Sequence, residues 1–338
     1  MKRGRPTLHD VAERAGTSTA VVSYVINNGP RPVASETRSR VEAAISELGY
    51  RRSGAARSLR RGHTTMIGML VPDATNSYFA SLAAAVERAA FEQGYATLVA
   101  HMAYSQDLQR RYLEEFLSLN VAAVVFVGFG EEASLHDLVR EVDGPVLLVH
   151  RRSNDLRLPS FVFDDREAGR LAAEHLISHG RQRLLCVGVD EPPGPIMDRC
   201  ESFAATAELL GTACDTVNWD YDRAQVCASF SEMVAAGLRF DGVFASTDEQ
   251  ATGILAAASQ AGLIVGRDIS VIGTNGTRES ATTVPALTTV HCDVDTLAAQ
   301  AVAHALAGGP PQQEPLPVTL LRRASCGCSL SESDHEGA

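Results

Sequence analysis

The sequence predicts a small all-α head carrying a helix-turn-helix, joined by a linker to a two-lobed α/β body. Three observations carry this. Apolar residues recur at helical spacing as far as Leu48. From Met66 onward, short apolar runs alternate with helical ones. The charge also changes sign between the two parts. Twelve Lys and Arg against five Asp and Glu give residues 1–62 a net +7, which leaves −18 for the rest of a chain whose total is −11. A basic segment on an acidic body is the charge distribution of a polyanion-binding module, and the body should repel such a partner elsewhere.

In TLHDVAERAGTSTAVVSYVIN, residues 7–27, Leu8, Val11, Ala12 and Ala15 make one short amphipathic helix. Gly16 permits a tight turn because it tolerates positive φ. Ser18 stands where an N-cap is wanted, and Val21, Val22, Val25 and Ile26 give the next segment its own apolar face. Two short helices joined this way read as a helix-turn-helix, with an ordinary helical hairpin as the competing reading. In that motif the second helix enters the major groove N-terminus first, which places Thr19 and Ala20 nearest the bases and Tyr24 one turn on.

Asn28-Gly29-Pro30-Arg31-Pro32 is a loop by composition. Ser35 is expected to cap a third helix over 36–48, with Val41, Ala44, Ile45 and Leu48 inward and Gly49 ending it. Arg38, Arg40, Arg51 and Arg52 are then free to meet phosphates. Ahead of the head, Arg3-Gly4-Arg5-Pro6 resembles the core of an AT-hook, though a single short match weighs less than a solvated basic tail.

In the body, MIGMLV, YATLVA, AAVVFV and PVLLV read as buried parallel strands, with helices around 78–93, 106–119 and 132–142. A second series has RLLCVGV, DGVFAS and ISVIG as strands and helices around 167–179, 199–210, 223–236 and 249–261. Two such alternating series build two doubly wound sheets. Ligands of open α/β sheets bind beyond the carboxyl ends of the strands, here the cleft between lobes. That position nominates Asp73, Asn76, Tyr78 and Phe79 after the first strand, Asp164 after FVF, Asp248 after DGVFAS and Asn275 after ISVIG. Arg199 begins a helix after RLLCVGV, and Tyr221 or Trp219 offers a stacking face. A forked Arg, a carboxylate and an aromatic platform suit a polyhydroxylated ring. The bland alternatives are a helix N-cap for Asp248 and an inter-lobe salt bridge for Arg199.

Composition excludes other classes. With 45% hydrophobic and 21% charged residues the chain is ordinary for a globular protein, and no apolar run approaches the roughly 20 residues of a membrane span. MKRGRPTLHD has no apolar stretch after its basic residues, so no secretory signal is expected and a cytoplasmic location is. The seven cysteines are scattered, and the close pair Cys326-Gly-Cys328 has no histidine near it in sequence. Reduced, buried thiols and no metal are therefore expected. G-x-S-x-G, H-E-x-x-H and the phosphate-binding loop are all absent, so neither catalysis nor a cofactor is expected.

TLHDVAERAGTSTAVVSYVIN, then SETRSRVEAAISELGYR and AARSLRRG, resemble the DNA-binding headpiece of the lactose/galactose repressor family, and the similarity continues over nearly the whole chain. The resemblance implies a headpiece over 1–52, a hinge over 53–63, a periplasmic-binding-protein-like body over 64–328 and a disordered tail over 329–338. The first lobe is expected to hold 64–163 and 292–322, including a helix near 297–306 and a last strand at 318–321; the second holds 164–291. Thr7, Ser18, Thr19, Ala20, Ser23, Tyr24, Asn27 and Arg31 are the implied DNA-facing residues, and Leu59 the side chain that wedges into the minor groove. Arg199 in MDRCESF and Asp248 in STDEQATGIL match the positions that grip effector, alongside Asp73, Tyr78, Phe79, Asp164, Tyr221 and Asn275. The pattern departs at Tyr24, where the family usually has Arg, and at Asn275, where it more often has Asp. The implied function is that of a homodimeric repressor of double-stranded operator DNA, controlled by a small metabolite such as a sugar. A sugar- or solute-binding protein without a DNA role is the other class, and the sequence leaves inducer against corepressor open.

Overall fold

The computed structural model describes residues 6–27, 29, 31–50, 64–128, 146–153, 158–190, 194–237, 239–308 and 314–328. Leu59 and its hinge, the helix expected at 132–142, residues 1–5 and the 329–338 tail lie outside them. The chain divides into two units at Thr64 and Thr65.

The head has three helices, α1 (Leu8–Arg14), α2 (Thr19–Asn27) and α3 (Ser35–Leu48). Thr7 starts α1 through a reciprocal capping box. Its hydroxyl accepts the Asp10 amide at 3.3 Å while the Asp10 carboxylate accepts the Thr7 amide at 2.7 Å. Gly16 turns the chain at φ 60°, and Ser18 Oγ accepts the Val21 amide at 3.3 Å as expected of a cap. Val11, Ala12, Ala15, Val22, Val25, Val41 and Ala44 close one core, with Ile45 and Leu48 packed against it. The expected cap at Ser35 is corrected. Ala34, in extended backbone, is the cap residue, Ser35 is already helical, and no side chain caps the start. Gly49 ends α3 in the left-handed region at φ 63°.

The first lobe contains β1 (Met66–Val71), α4 (Ser77–Glu92), β2 (Ala96–His101), α5 (Gln106–Ser118), β3 (Ala123–Val127), β4 (Val146–Val149) and β5 (Ser160–Phe161). Its strands run parallel in the order β2-β1-β3-β4-β5. The second lobe follows with α6 (Asp165–Ser178), β6 (Arg183–Gly188), α7 (Pro195–Leu209), β7 (Ala213–Asn218), α8 (Arg223–Ala235), β8 (Gly242–Ala245), α9 (Asp248–Gln260), β9 (Ser270–Asn275) and β10 (Thr288–Cys292). The chain ends in α10 (Val294–Ala307) and β11 (Val318–Leu321). The second sheet has the order β11-β10-β9-β8-β6-β7, parallel except where β11 meets β10.

Helix α10 packs Leu297, Ala298, Ala301 and Val302 onto the first lobe's core beside Ile67, Leu82 and Val125. The last strand is shared: Val318 packs in the same core, while the strand's hydrogen bonds go to the second sheet, where the first lobe was expected to hold it. After the Leu316 amide bonds Val162 O at 2.9 Å, the chain runs along the edge of β10, with Thr289 opposite Leu321 and Cys292 opposite Val318. An edge strand's unpaired N–H and C=O groups need partners, and β11 supplies them. Helix α6 begins two residues before its apolar periodicity and α7 four before, the latter with Pro195 in its first turn, where no N–H is needed. Among the described residues no helix is long and apolar enough to cross a membrane.

Candidate functional site

On α2, Val22 and Val25 face the core, which leaves Thr19, Ala20, Ser23 and Asn27 along the opposite side. Thr19 and Ala20 are exposed in the first turn. Asn27 Nδ2 donates to Ser23 O at 2.8 Å and to Ser23 Oγ at 3.0 Å, so these two side chains stiffen one another. Tyr24 is half-buried, and its ring lies so close over Gly29 that a Cβ there would stand 2.5 Å from Cδ1. Thr7 and Ser18 spend their hydroxyls on helix caps, and Arg31 is exposed. Arg38 and Arg40, expected to be free, face Glu42 and Glu36 at 3.8 and 3.9 Å. Such exposed pairs are weak enough to exchange for phosphates.

The body's charged centre is Arg199. It rises from the first turns of α7 and is fully buried. Its Nε donates to Asp165 Oδ1 at 2.7 Å, and its Nη1 to Ser246 O at 2.7 Å and Asn275 Oδ1 at 3.2 Å. Its Nη2 is buried without a partner. Burial works against this cation, and Asp165 holds it charged. Burial likewise pushes the Asp165 carboxyl up to about 6, with Arg199 pulling the other way. Tyr78 Oη sits 3.0 Å from His150 Nδ1. Burial first, then Arg199 and Arg151, push the imidazole down to about 3, so it is neutral at physiological pH. Burial also raises the Tyr78 phenol and pushes the Cys292 thiol up to about 12. The centre thus offers a buried ion pair, Arg199 with Asp165, and several neutral hydrogen-bonding groups.

Two cavities adjoin it. One, of about 550 Å³, is lined by Tyr78, Asn275, Gly276, Thr277 and Cys292 among others. The other, of about 580 Å³, is lined by Arg151, Asp164, Asp165, Gly194 and Asp198 among others. Arg199 bonds to one wall residue of each, Asn275 in the first and Asp165 in the second. Asn275 holds φ 118°, a strained conformation for a side-chain-bearing residue, which fits a position fixed by its surroundings.

The nominated residues divide on this geometry. Arg199 bonds Asn275, Tyr78 lines the same cavity as Asn275, and Asp164 lines the second cavity while capping α6. Phe79 is buried in the first lobe's core, edge-on to Tyr78. Asp73 accepts the Thr75 amide and hydroxyl at 2.8 and 2.7 Å. Tyr221 stacks on Tyr104 across the lobes, with ring centroids 5.8 Å apart. Asp248 is buried behind the site. It accepts Thr277 N and Oγ1 at 2.8 Å and Thr289 Oγ1 at 2.6 Å, and Thr247 is the residue that caps α9. Sequence reasoning missed Asp165, His150 and Ser246. The adjacent Asp164 and Asp165 were a usable signal, since a cap at the first leaves the second in the opening turn of α6.

The expectation that Cys326 and Cys328 lack a histidine is also corrected. Helix α6 brings His175 Nε2 to 3.3 Å from Cys326 Sγ. Those residues are 151 positions apart in sequence, beyond the reach of any local pattern.

Residues 7–53 match the family described as bacterial regulatory proteins, lacI family, and residues 64–309 match the periplasmic binding proteins and sugar binding domain of the LacI family. The HTH-type transcriptional repressor PurR of Escherichia fergusonii is 33% identical over 301 residues, covering 86% of each chain. The ribose operon repressor of Escherichia coli K12 is 30% identical over 328 residues, covering 94% of this chain and 99% of the relative. Among solved structures, the lac repressor dimer bound to operator and the anti-inducer ONPF superposes with a TM-score of 0.83 at 23% identity, covering 96% of this chain and 99% of that one. The transcriptional regulator CelR–cellobiose complex gives 0.68 at 21%, covering 95% and 100%.

Proposed function

The chain belongs to the LacI family of bacterial regulatory proteins, and from that premise we propose that it is a homodimeric transcriptional repressor whose grip on operator DNA is set by a small polyhydroxylated metabolite, a sugar or a close derivative. In this reading Thr19, Ala20, Ser23, Tyr24 and Asn27 face the major groove, and Thr7, Ser18 and Arg31 lie against the backbone. Leu59 wedges into the minor groove where the hinges of two copies meet. Effector and operator binding are then coupled reciprocally through the hinge. No catalytic step is part of this function.

The observation that carries the ligand class is the unpaired Nη2 of Arg199. A buried guanidinium N–H without an acceptor is costly, and a ligand oxygen removes that cost. Its neighbours Asp165, Asn275 and Tyr78 supply both donors and acceptors, as a ring of hydroxyls requires. Tyr104 and Tyr221 would close over such a ring from the two lobes.

The test starts with a thermal-shift screen of sugars and sugar derivatives on the full chain, because a tight ligand raises apparent stability by mass action. The best compound is then titrated by calorimetry into wild type, Arg199→Ala and Arg199→Lys, with circular dichroism as the check on folding. Losing a charged partner in a desolvated site costs about 2–5 kcal/mol, so Arg199→Ala should lose affinity at least tens of fold. Operator affinity of the free variant should stay near wild type while the response to ligand disappears. Ligand binding at wild-type strength in a folded Arg199→Ala protein would place the effector elsewhere.

A further inference from the structure

Helix α6 ends on two histidines, His175 in its last turn and His179 at its C-cap. Spacing of i, i+4 puts both on one face. The segment after β11 delivers Cys326 and Cys328 to that face, and the four ligand atoms lie within 4.8 Å of one another. Gly327 makes this possible. It holds φ 89°, and a Cβ there would come within 2.4 Å of Gly266 O, so glycine is needed for the chain to reverse between the two thiols.

We propose that His175, His179, Cys326 and Cys328 form a closed tetrahedral site for a zinc ion, which fastens the C-terminal segment to α6.

The spacings fit the ion. Zn–S of about 2.3 Å and Zn–N of about 2.05 Å in a tetrahedron put sulfur and nitrogen about 3.5 Å apart. His175 Nε2 lies 3.3 Å from Cys326 Sγ and 3.6 Å from Cys328 Sγ, and His179 Nε2 lies 3.4 Å from Cys328 Sγ. Two thiolates and two imidazoles are the donor set of a structural zinc, with no position left for water. Each cysteine binds as thiolate, so loading releases two protons to solvent and leaves a site without net charge, which the half-buried setting tolerates. Thr288 Oγ1, 3.0 Å from Cys326 Sγ, stands where it can donate to that thiolate. The negative end of the α6 dipole favours a cation there. The donors come from two elements far apart in the chain, so the metal acts as a cross-link between them.

The experiment uses the full chain, purified under reducing conditions, stripped of metal and titrated with Co(II). One equivalent per chain should develop the visible bands of tetrahedral cobalt with thiolate-to-metal charge transfer, and Zn(II) should displace it. Cys328→Ser and His179→Ala should each weaken Co(II) by at least about tenfold, the loss seen when even an outer-shell partner is removed. His179 is exposed, so its replacement leaves the fold intact. Zinc should raise Tm in wild type and not in Cys328→Ser. A thiolate-free octahedral spectrum, or equal affinity and spectrum in folded variants, would overturn the site. So would a Cys326–Cys328 disulfide that persists under reduction.

Discussion

Asp248 is a carboxylate committed to the fold. Its three hydrogen bonds tie the loop after β9 and the strand β10 to the start of α9, and they occupy both oxygens. Burial nevertheless pushes its carboxyl up to about 6, against the threonine bonds that favour the anion. The folded state therefore holds this proton more tightly than the unfolded chain does. The resulting stabilisation is complete below the ordinary value of 3.8 and is lost as pH rises through about 6. Asp248→Asn cannot titrate, and with its oxygen kept on the Thr277 donors its NH2 replaces an acceptor opposite Thr289 Oγ1, so it should be less stable than wild type at neutral pH by about 1–3 kcal/mol. Chemical denaturation of both proteins at about pH 4 and about pH 7 should show the wild-type advantage larger at the acid end, by something on the order of 2 kcal/mol. A constant difference would mean that Asp248 ionises as an ordinary carboxylate. Arg199 stands apart from it because one of its nitrogens has nothing to bond.

At the scale of elements, α6 and α7 touch through Gly169. A Cβ at this position would lie 2.1 Å from Arg199 O and 2.8 Å from Phe203 N, both of them backbone atoms. Backbone cannot swing aside as a side-chain tip does, so Gly169→Ala should force the helices apart and cost about 1–3 kcal/mol. The shift falls on the two helices that carry Asp165 and Arg199, and their 2.7 Å bond has little slack. Lowered Tm together with weakened effector binding is the expected result, read by thermal denaturation and calorimetry on the folded variant. Unchanged values for both would show that the helix pair yields more easily than its packing implies. The far end of α6 carries the two histidines, so one helix joins the Arg199 centre to the C-terminal segment.

The whole molecule separates its two tasks by charge. The basic head offers +7 over 62 residues, and the body is a −18 surface that polyanions avoid. Operator affinity should therefore reside entirely in residues 1–62 and fall linearly, log against log, with salt as counterions are released. A truncated protein beginning at Thr65 should show no operator binding in a fluorescence anisotropy titration at moderate salt, while the full chain binds. Retained binding by the truncated protein would assign the DNA surface to the body. In the proposed function the body nonetheless sets the outcome, since the metabolite would bind there and its free energy would have to reach the head.

Local rules determined much of this protein. Helical periodicity with a glycine turn and a serine cap specified the head, because both signals act within a few residues. The apolar runs of β1, β3, β4, β6, β8 and β9 were legible because each is buried on both faces. Strand β2, expected to be buried, is a largely exposed edge; β7, an edge of the same kind, was not legible, nor was β10, whose Thr288 and Thr289 are buried but satisfied by hydrogen bonds. Position after a strand nominated Arg199, Asn275 and Asp248 alike, and only packing showed that both Asp248 oxygens are bonded while Arg199 Nη2 is not. The pairing of β11 with the second lobe and the meeting of His175 with Cys326 belong to tertiary structure alone. Both join residues distant along the chain, and such contacts arise from how the lobes cross and close, which no local spacing encodes.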